Sequence, residues 1–501
     1  MVGDTPMKKS SVILCVCLTS LGIAFKPACG WNLSSNHRQT IHYRMAVEGY
    51  KSSPSIEEIR RKIRERGFNF TVDETRVYGL PLDHSVKLRG SFPCSIEERR
   101  LLASCPVGHL PSYFDWRDEG KVTPVKDQYP CQLCWAFTAV AELESKILLS
   151  EDIPYDLSEQ QLASCDFIAS AGKARSCSSG GSSFRAANFL TQRGAVLESC
   201  EPFRAMDGVP CSHHCEIIKN VDGWRVLPNR VDAIKAALYK HGPVASSMDA
   251  TDPAFRAYAG GVYEYYDSLM VNHAVLIVGW DDNLGPAGAW LVKNSWGDDW
   301  GMDGYGYIAY GAAKIGTMSS FIASCKDFDP DESILYYDEG GFFCFDSGGA
   351  CDGVNSIGAG SPTAWCAAVF TPTATGILRA VDFWTTSANA IYEIRVYGLM
   401  EESSMRKLRS VKRGRCDELG YYSIKLPHSL KVRGGDDFVV AVRLTTPGYC
   451  YPIPVDIAGP AESERCYVSE DGKSWQPIGR GTTMPYDLAI RARVVKASRY
   501  D

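Results

Sequence analysis

The sequence predicts an α+β protein of several domains, and three observations carry that prediction. Around residue 134 apolar residues recur at helical spacing. Between residues 273 and 294 two strongly apolar, β-rich runs follow, and beyond residue 327 short alternating segments separated by turn clusters fill the rest of the chain. At 501 residues the chain is long enough for two or three cores. Its 45% hydrophobic and 22% charged residues set aside disordered, collagen-like and coiled-coil classes. A net charge of −6 speaks against a nucleic-acid binder or a polybasic membrane-surface protein. Nineteen cysteines, spread along the chain without tandem zinc-ribbon pairs, point to an oxidising compartment. The count is odd, so at least one of them has no partner within the chain.

The N-terminus agrees with that compartment. Lys8 and Lys9 precede an apolar run from Ser10 to Phe25, and Ala28 and Gly30 follow at the spacing of a cleavage site. Residues 1–30 therefore read as a secretory signal, and no later apolar run is long enough to span a bilayer. Residues 31–110 are charged and only patchily apolar. Ser55-Ile56-Glu57-Glu58 is a capping box, with Ile56, Ile59 and Ile63 at helical spacing up to Gly67 as C-cap, and a second charged helix is expected from Ser95 to Ala103. So thin an apolar stripe cannot fold alone, and the segment must lean on another part of the molecule.

The chemistry begins at Asp127. Gln128 to Phe137 leads into a helical pattern (Phe137, Val140, Ala141, Leu143, Ile147, Leu148), which puts Cys134 at a helix N-terminus. There the helix dipole and unpaired N–H groups favour the thiolate, the form that attacks carbonyls. Gln128, six residues upstream, can aim its side-chain amide at the same spot and complete an oxyanion hole with the Cys134 N–H. His273 opens an apolar strand, and Asn294 ends another, Trp290 to Lys293. An Asn oxygen on one ring nitrogen fixes the tautomer whose other nitrogen faces the thiol. A lone His beside a strand, or a lone Cys in a secreted chain, is ordinarily structural; the ordered set Gln128, Cys134, His273 and Asn294 is a catalytic pattern.

These residues, with Asp115-Trp116-Arg117, Leu157 to Leu162, the Cys177 to Gly181 segment and Lys293-Asn294-Ser295-Trp296-Gly297, resemble the papain family of cysteine peptidases across about residues 111–326. The resemblance implies a two-lobed fold, a helical lobe carrying Cys134 and a β-barrel-like lobe carrying His273 and Asn294, with protein or peptide substrates bound between them. It also implies that residues 31–110 are an inhibitory propeptide, the chain's own partner in an inactive precursor. Two departures stand out: Gln132-Leu133 replaces the family's Gly-Ser before the nucleophile, and Cys177-Ser178-Ser179-Gly180-Gly181 is one residue longer than the family's Cys-x-Gly-Gly. Gly180 and Gly181 are the candidates for pairing with an extended substrate, and Trp296 for packing over His273 and Asn294. The resemblance further implies Cys131–Cys177, and Cys165 joined to one of Cys211 or Cys215 with Cys200 taking the other. His213 and His214 stand between cysteines expected in disulfides, so no metal and no organic cofactor is expected. The same run resembles cathepsin B-type carboxydipeptidases, but residues 211–215 are too few for their blocking loop, and endopeptidase action leads.

Residues 327–501 open with an acidic linker, Asp327 to Glu332. Seven β-type segments follow: Thr363 to Phe370, Gly376 to Thr385, Ala390 to Tyr397, Tyr421 to Leu426, Asp437 to Leu444, Cys466 to Ser469 and Leu488 to Val494. They suggest an antiparallel β-sandwich and resemble the lectin-like domain appended to some secreted bacterial papain-family peptidases. Glycans are one candidate partner, beside a structural or protein-binding role; Trp365, Trp384, Tyr397, Trp475 and Tyr486 could stack on sugars, but core packing is the expected role for most of them. Cys344, Cys351, Cys366, Cys416, Cys450 and Cys466 are expected to form three bridges there, and Cys325 has no obvious partner. The competing function is an adhesion protein with an inactive peptidase fold; the expected location is extracellular, with the cell surface, periplasm or a lysosome-like compartment as alternatives.

Overall fold

The computed structural model describes residues 32–33, 53–81, 88–89, 91, 109–166, 176–341 and 355–497, apart from 269, 402–403, 458 and 463. The expected signal, the second charged helix, Cys94, Cys105, Cys344 and Cys351 lie outside the described residues.

The N-terminal segment folds as its caps dictate. The Ser55 hydroxyl accepts from the Glu58 N–H, the Glu58 carboxylate accepts from the Ser55 N–H, and helix Ile56–Arg66 ends at Gly67 in the left-handed region. Ile56, Ile59 and Ile63 are its buried stripe, packed with Phe70, Val72 and Val77 against the core of the next domain. Strand Phe70–Val72 pairs antiparallel with Tyr258–Tyr263, Phe70 opposite Gly261. A Cβ on Gly261 would sit 2.6 Å from the Asn69 carbonyl oxygen, so this approach requires glycine. The segment leans on its neighbour, as its composition demands.

The central domain has two lobes. In the first, helix Cys134–Glu151 is buried over most of its circumference and packs against helix Ser183–Gln192. The second is built on strands hydrogen-bonded in the order Ile217–Val226, Thr317–Asp327, Val244–Met248, His273–Asp281, Ala289–Lys293, Tyr305–Ala309 and Tyr258–Tyr263. Strand His273–Asp281 is buried through eight of its nine residues, which explains its unbroken apolar sequence.

The C-terminal domain is a sandwich. One sheet runs in the order Ser404–Cys416, Ala390–Glu401, Phe438–Thr445, Thr363–Phe370, Cys466–Ser469, Gln476–Ile478, and it packs across a shared core on strands Glu332–Leu335, Ile490–Lys496, Gly376–Trp384 and Gly420–Val432. The second sheet does not stop at the domain boundary. Strand Gly420–Val432 pairs with Ile217–Val226, Tyr421 opposite Trp224, so one path of strands runs from the C-terminal domain through the central one to Phe70–Val72.

Three expectations are corrected. The acidic linker is shorter than its sequence suggests: Asp327 closes strand Thr317–Asp327 beside Lys219, and Glu332 already opens a strand on Ile490–Lys496. Strand Ser404–Cys416, absent from the sequence reading, lies at a sheet edge, where basic residues replace the apolar alternation that marks a half-buried strand. Three bridges among the six sandwich cysteines are ruled out, since Cys366, Cys416, Cys450 and Cys466 are thiols and the first, second and fourth pack in its core. Cys131–Cys177, Cys165–Cys211 and Cys200–Cys215 are disulfides.

Candidate active site

Cys134 is the first residue of its helix and is a thiol, not half of a disulfide, although Cys131 three residues earlier is bridged to Cys177. Leu133, at the N-cap, makes no side-chain cap, so the sulfur sits at a helix end whose dipole favours its thiolate. Gln128 is fully buried. Its Oε1 accepts from the Ser295 hydroxyl at 2.6 Å, which turns its Nε2 toward the carbonyls of Cys131 (2.8 Å) and Leu88 (3.2 Å).

His273 heads its strand, and Asn294 follows Ala289–Lys293, placing the two side chains together through the sheet. His273 Nε2 lies 2.8 Å from Asn294 Oδ1. The same oxygen accepts from the Ser295 backbone N–H at 2.8 Å. That second bond fixes which end of the amide is oxygen, so His273 carries its proton on Nε2. Nδ1 is left buried without a hydrogen bond, its lone pair available. The Trp296 ring packs on the imidazole at 4.7 Å between centroids and is itself held by Phe255 at 5.4 Å.

A piece of the N-terminal segment occupies this site. The Leu88 carbonyl accepts from Gln128 Nε2 and from Trp296 Nε1 at 3.4 Å, and Leu88 is buried. Ser91 bridges the lobes: it pairs in parallel with Gly181 on one side, while its N–H donates to the Asn272 carbonyl at 3.0 Å on the other. Burial lowers His273 to about 4, with the Arg89 guanidinium pushing the same way against the Asn294 oxygen and the Leu88 carbonyl. In this state the imidazole is neutral at physiological pH.

The sequence-predicted residues separate into groups. Gln128, His273, Asn294 and Trp296 are linked by contacts to one another or to Leu88, and Cys134 lies on the helix beside them. Of the two glycines, Gly181 pairs with the extended segment, whereas Gly180 gives its carbonyl to Arg185 at 3.5 Å. A Cβ on Gly181 would lie 2.5 Å from the Trp135 ring, so Trp135 is the floor that makes glycine necessary. Sequence reasoning missed Ser295 as the residue that orients both Gln128 and Asn294; its place between Asn294 and Trp296 was the available signal. It also missed the Leu88–Ser91 contacts, because no local pattern marks them. Cys200, His214 and Cys215 form the one compact group of metal-type ligands among the described residues, but both sulfurs are in a disulfide.

An oriented imidazole, a thiol at a helix N-terminus and a buried amide donor define a cysteine-nucleophile hydrolase fold joined to a β-sandwich. Comparison with known proteins narrows this. Residues 110–324 match the papain family cysteine protease model, and residues 345–493 match a lectin like domain. The chain is similar to cathepsin J of Rattus norvegicus (37% identity over 225 residues, 44% of this chain and 66% of the relative). It is also similar to cysteine proteinase A of Leishmania mexicana (39% over 214 residues, 42% and 57%). It spans less than two thirds of the length of these relatives. The crystal structure of the cysteine protease and lectin-like domains of Cwp84, a surface layer associated protein of Clostridium difficile, superposes with a TM-score of 0.69 at 22% identity, covering 86% of this chain and 98% of that one. The chain thus carries a papain-family peptidase domain followed by a lectin-like domain.

Proposed function

We propose that the protein is a secreted papain-like cysteine endopeptidase made as an inactive precursor. The observation that carries this reading is the His273–Asn294 bond: it leaves Nδ1 as the ring nitrogen that can act as base, on a strand packed against the Cys134 helix, while Gln128 supplies an amide donor for an oxyanion. His273 takes the Cys134 proton, and the thiolate attacks the scissile carbonyl. Gln128 Nε2 and the Cys134 N–H stabilise the tetrahedral oxyanion, and the imidazolium protonates the leaving amine. Water activated by His273 then hydrolyses the thioester. Residues 31–110 serve as the inhibitory propeptide, since the Leu88 carbonyl takes the donor that a substrate oxyanion needs. Residues 111–326 and 327–501 are the peptidase and lectin-like units. Three disulfides support an oxidising, extracytoplasmic location. Residues 211–215, tied by disulfides to Cys165 and Cys200, are too short for a cleft-blocking loop and favour endopeptidase over carboxydipeptidase action.

The test is labelling with an epoxide that traps papain-type thiols. The activated chain is expected to take up one label at Cys134, and Cys134→Ala none. An unlabelled activated wild type, or a Cys134→Ala variant labelled equally well, overturns the reading in favour of an inactive peptidase fold.

A further inference from the structure

The six-stranded sheet of the lectin-like domain has an outer face with an unusual charge arrangement. Strand register aligns Arg413, Glu393, Arg443 and Trp365 in one row across four neighbouring strands. Arg395 stands two residues along from Glu393 on the same face. The Glu393 side chain is only 2% exposed, yet it meets three guanidiniums: Arg395 Nε at 2.6 Å, Arg413 Nε at 2.9 Å and an Arg443 terminal nitrogen at 3.2 Å. Burial pushes the Glu393 carboxyl up, but the three guanidiniums outweigh it and hold the group below its usual range, so it stays ionised.

One carboxylate neutralises one guanidinium, which leaves an excess of two positive charges at this point. Arg413 and Arg443 reach Glu393 from the two flanking strands, and Arg395 adds a third guanidinium from the same strand. Arg395 and Arg443 also stack on Trp365, at 4.5 and 5.6 Å from the ring centroid, which fixes their planes. Arg413 remains 68% exposed and Arg443 36% exposed, so donors face solvent from a preorganised base. The charge continues along the adjoining edge, where six of the ten residues from Arg406 to Arg415 are Lys or Arg, in a chain whose net charge is −6. Residues two apart on one strand face recur about every 7 Å, a spacing suited to a polymer with repeating anionic groups.

We propose that this face binds an anionic glycan, a polysaccharide whose carboxylate or sulfate groups pair with Arg413 and Arg443. The aromatic residues argue for that class over others. Trp365 and Trp475 are 5% and 7% exposed, so neither ring is open for a neutral sugar or a nucleobase to stack on. Binding here is carried by charge and guanidinium geometry. The site is remote in sequence from Cys134, and its occupancy does not depend on peptidase activity.

The experiment is calorimetry of the full chain with four probes: a heparin decasaccharide, an oligogalacturonate, a neutral dextran oligomer and a 20-nucleotide single strand. The heparin or the galacturonate probe is expected to bind, and which of them does so identifies sulfate or carboxylate as the group recognised. Arg413→Gln/Arg443→Gln is expected to weaken that binding by about tenfold, while Arg406→Gln/Lys407→Gln, which removes the same charge from the edge strand outside the cluster, weakens it by less than about threefold. Arg413→Gln alone, at an exposed side chain, gives an intermediate loss should the double variant fold poorly. Peptide hydrolysis by the activated chain is expected to be unchanged. No binding of either anionic probe, tighter binding of dextran or the oligonucleotide, or equal losses in both double variants overturns the proposal.

Discussion

The two flanks of the peptidase domain both extend its sheet, at opposite ends of one path of strands, but with different chemistry. On the N-terminal side three residues, Phe70–Val72, add a short strand, and helix Ile56–Arg66 contributes a single apolar stripe. Its ion pairs (Arg60–Glu57, Arg61–Glu65, Arg66–Asp267) are all solvated, with side chains 41–73% exposed, and such pairs contribute little. On the C-terminal side Arg491 and Asp338, 1% and 0% exposed, form a buried pair that also reaches Asn188 and Thr191 on the helical lobe at 2.7 Å. Arg493 pairs with buried Asp382 at 2.6 Å, and Trp384 and Tyr421 complete the helical-lobe core beside Trp224. The N-terminal flank has its buried anchor in neutral groups, the Val77, Tyr78 and Leu80 carbonyls on the Arg256 guanidinium, rather than in a buried ion pair. The other is part of the fold.

The strongest way to break that comparison is Arg491→Ala. Removing the guanidinium leaves the Asp338 carboxylate buried without its partner, which costs about 3–5 kcal/mol. Urea unfolding followed through tryptophan fluorescence is expected to show a large loss of stability spread over both the peptidase and lectin-like domains. An unchanged midpoint, or a lectin-like domain that melts alone while the peptidase stays native, would show that the interface is not structural.

That asymmetry was only half legible in the sequence. Local rules gave the capped helix at Ser55, the helix at Cys134 and the strands bearing His273 and Asn294, because caps, periodicity and turn residues act over a few positions. The candidate site could be proposed from sequence for a related reason: a nucleophile, a base, an orienting amide and an oxyanion donor call for chemically distinct residue types, so the order of Gln128, Cys134, His273 and Asn294 carries information. What stayed hidden is non-local. Nothing in the local sequence of strand Ile490–Lys496 marks Arg491 and Arg493 as buried; Asp338 and Asp382, distant in the chain, make it so. Leu88 to Ser91 has no pattern of its own, and its position depends on Gly181 and Asn272, 90 and 181 residues beyond Ser91. The cysteines of the sandwich misled because Cys366 and Cys466 serve as small apolar residues in its core.

A pH change probes the N-terminal flank through His273. In the docked state burial holds this imidazole at about 4, with the Arg89 guanidinium pushing the same way, against an ordinary value of about 6.5. The lowered value means that protons bind the undocked state more tightly. The part of the lowering that docking supplies is therefore stabilisation fully present above pH ~6.5 and lost as pH falls toward ~4. Epoxide labelling of the intact precursor is expected to accelerate across this window. A labelling rate that is flat between pH 6.5 and 4, once corrected for the pH dependence of the activated enzyme, would place the control of access elsewhere.

The smallest change tests whether the N-terminal flank is as finely balanced as its thin core suggests. Ile59 is 3% exposed at the middle of the only apolar stripe of helix Ile56–Arg66. Ile59→Val keeps the β-branched shape and the helix while deleting one buried methylene, a loss of about 1 kcal/mol. In a large core that difference would vanish into global stability. Here it falls on a segment held besides by a three-residue strand, by the buried Arg256 guanidinium on the Val77, Tyr78 and Leu80 carbonyls and by the Leu88 and Ser91 contacts, so the loss falls on the docked–undocked equilibrium. The labelling rate of the precursor at neutral pH is expected to rise about fivefold, with the activated enzyme unaffected because Ile59 has been removed from it. The same substitution in the C-terminal core, Ile394→Val, buried between the two sheets, is expected to leave precursor labelling unchanged. Equal responses from the two variants would mean that both flanks are released together and that the contrast between them does not govern access to the cleft.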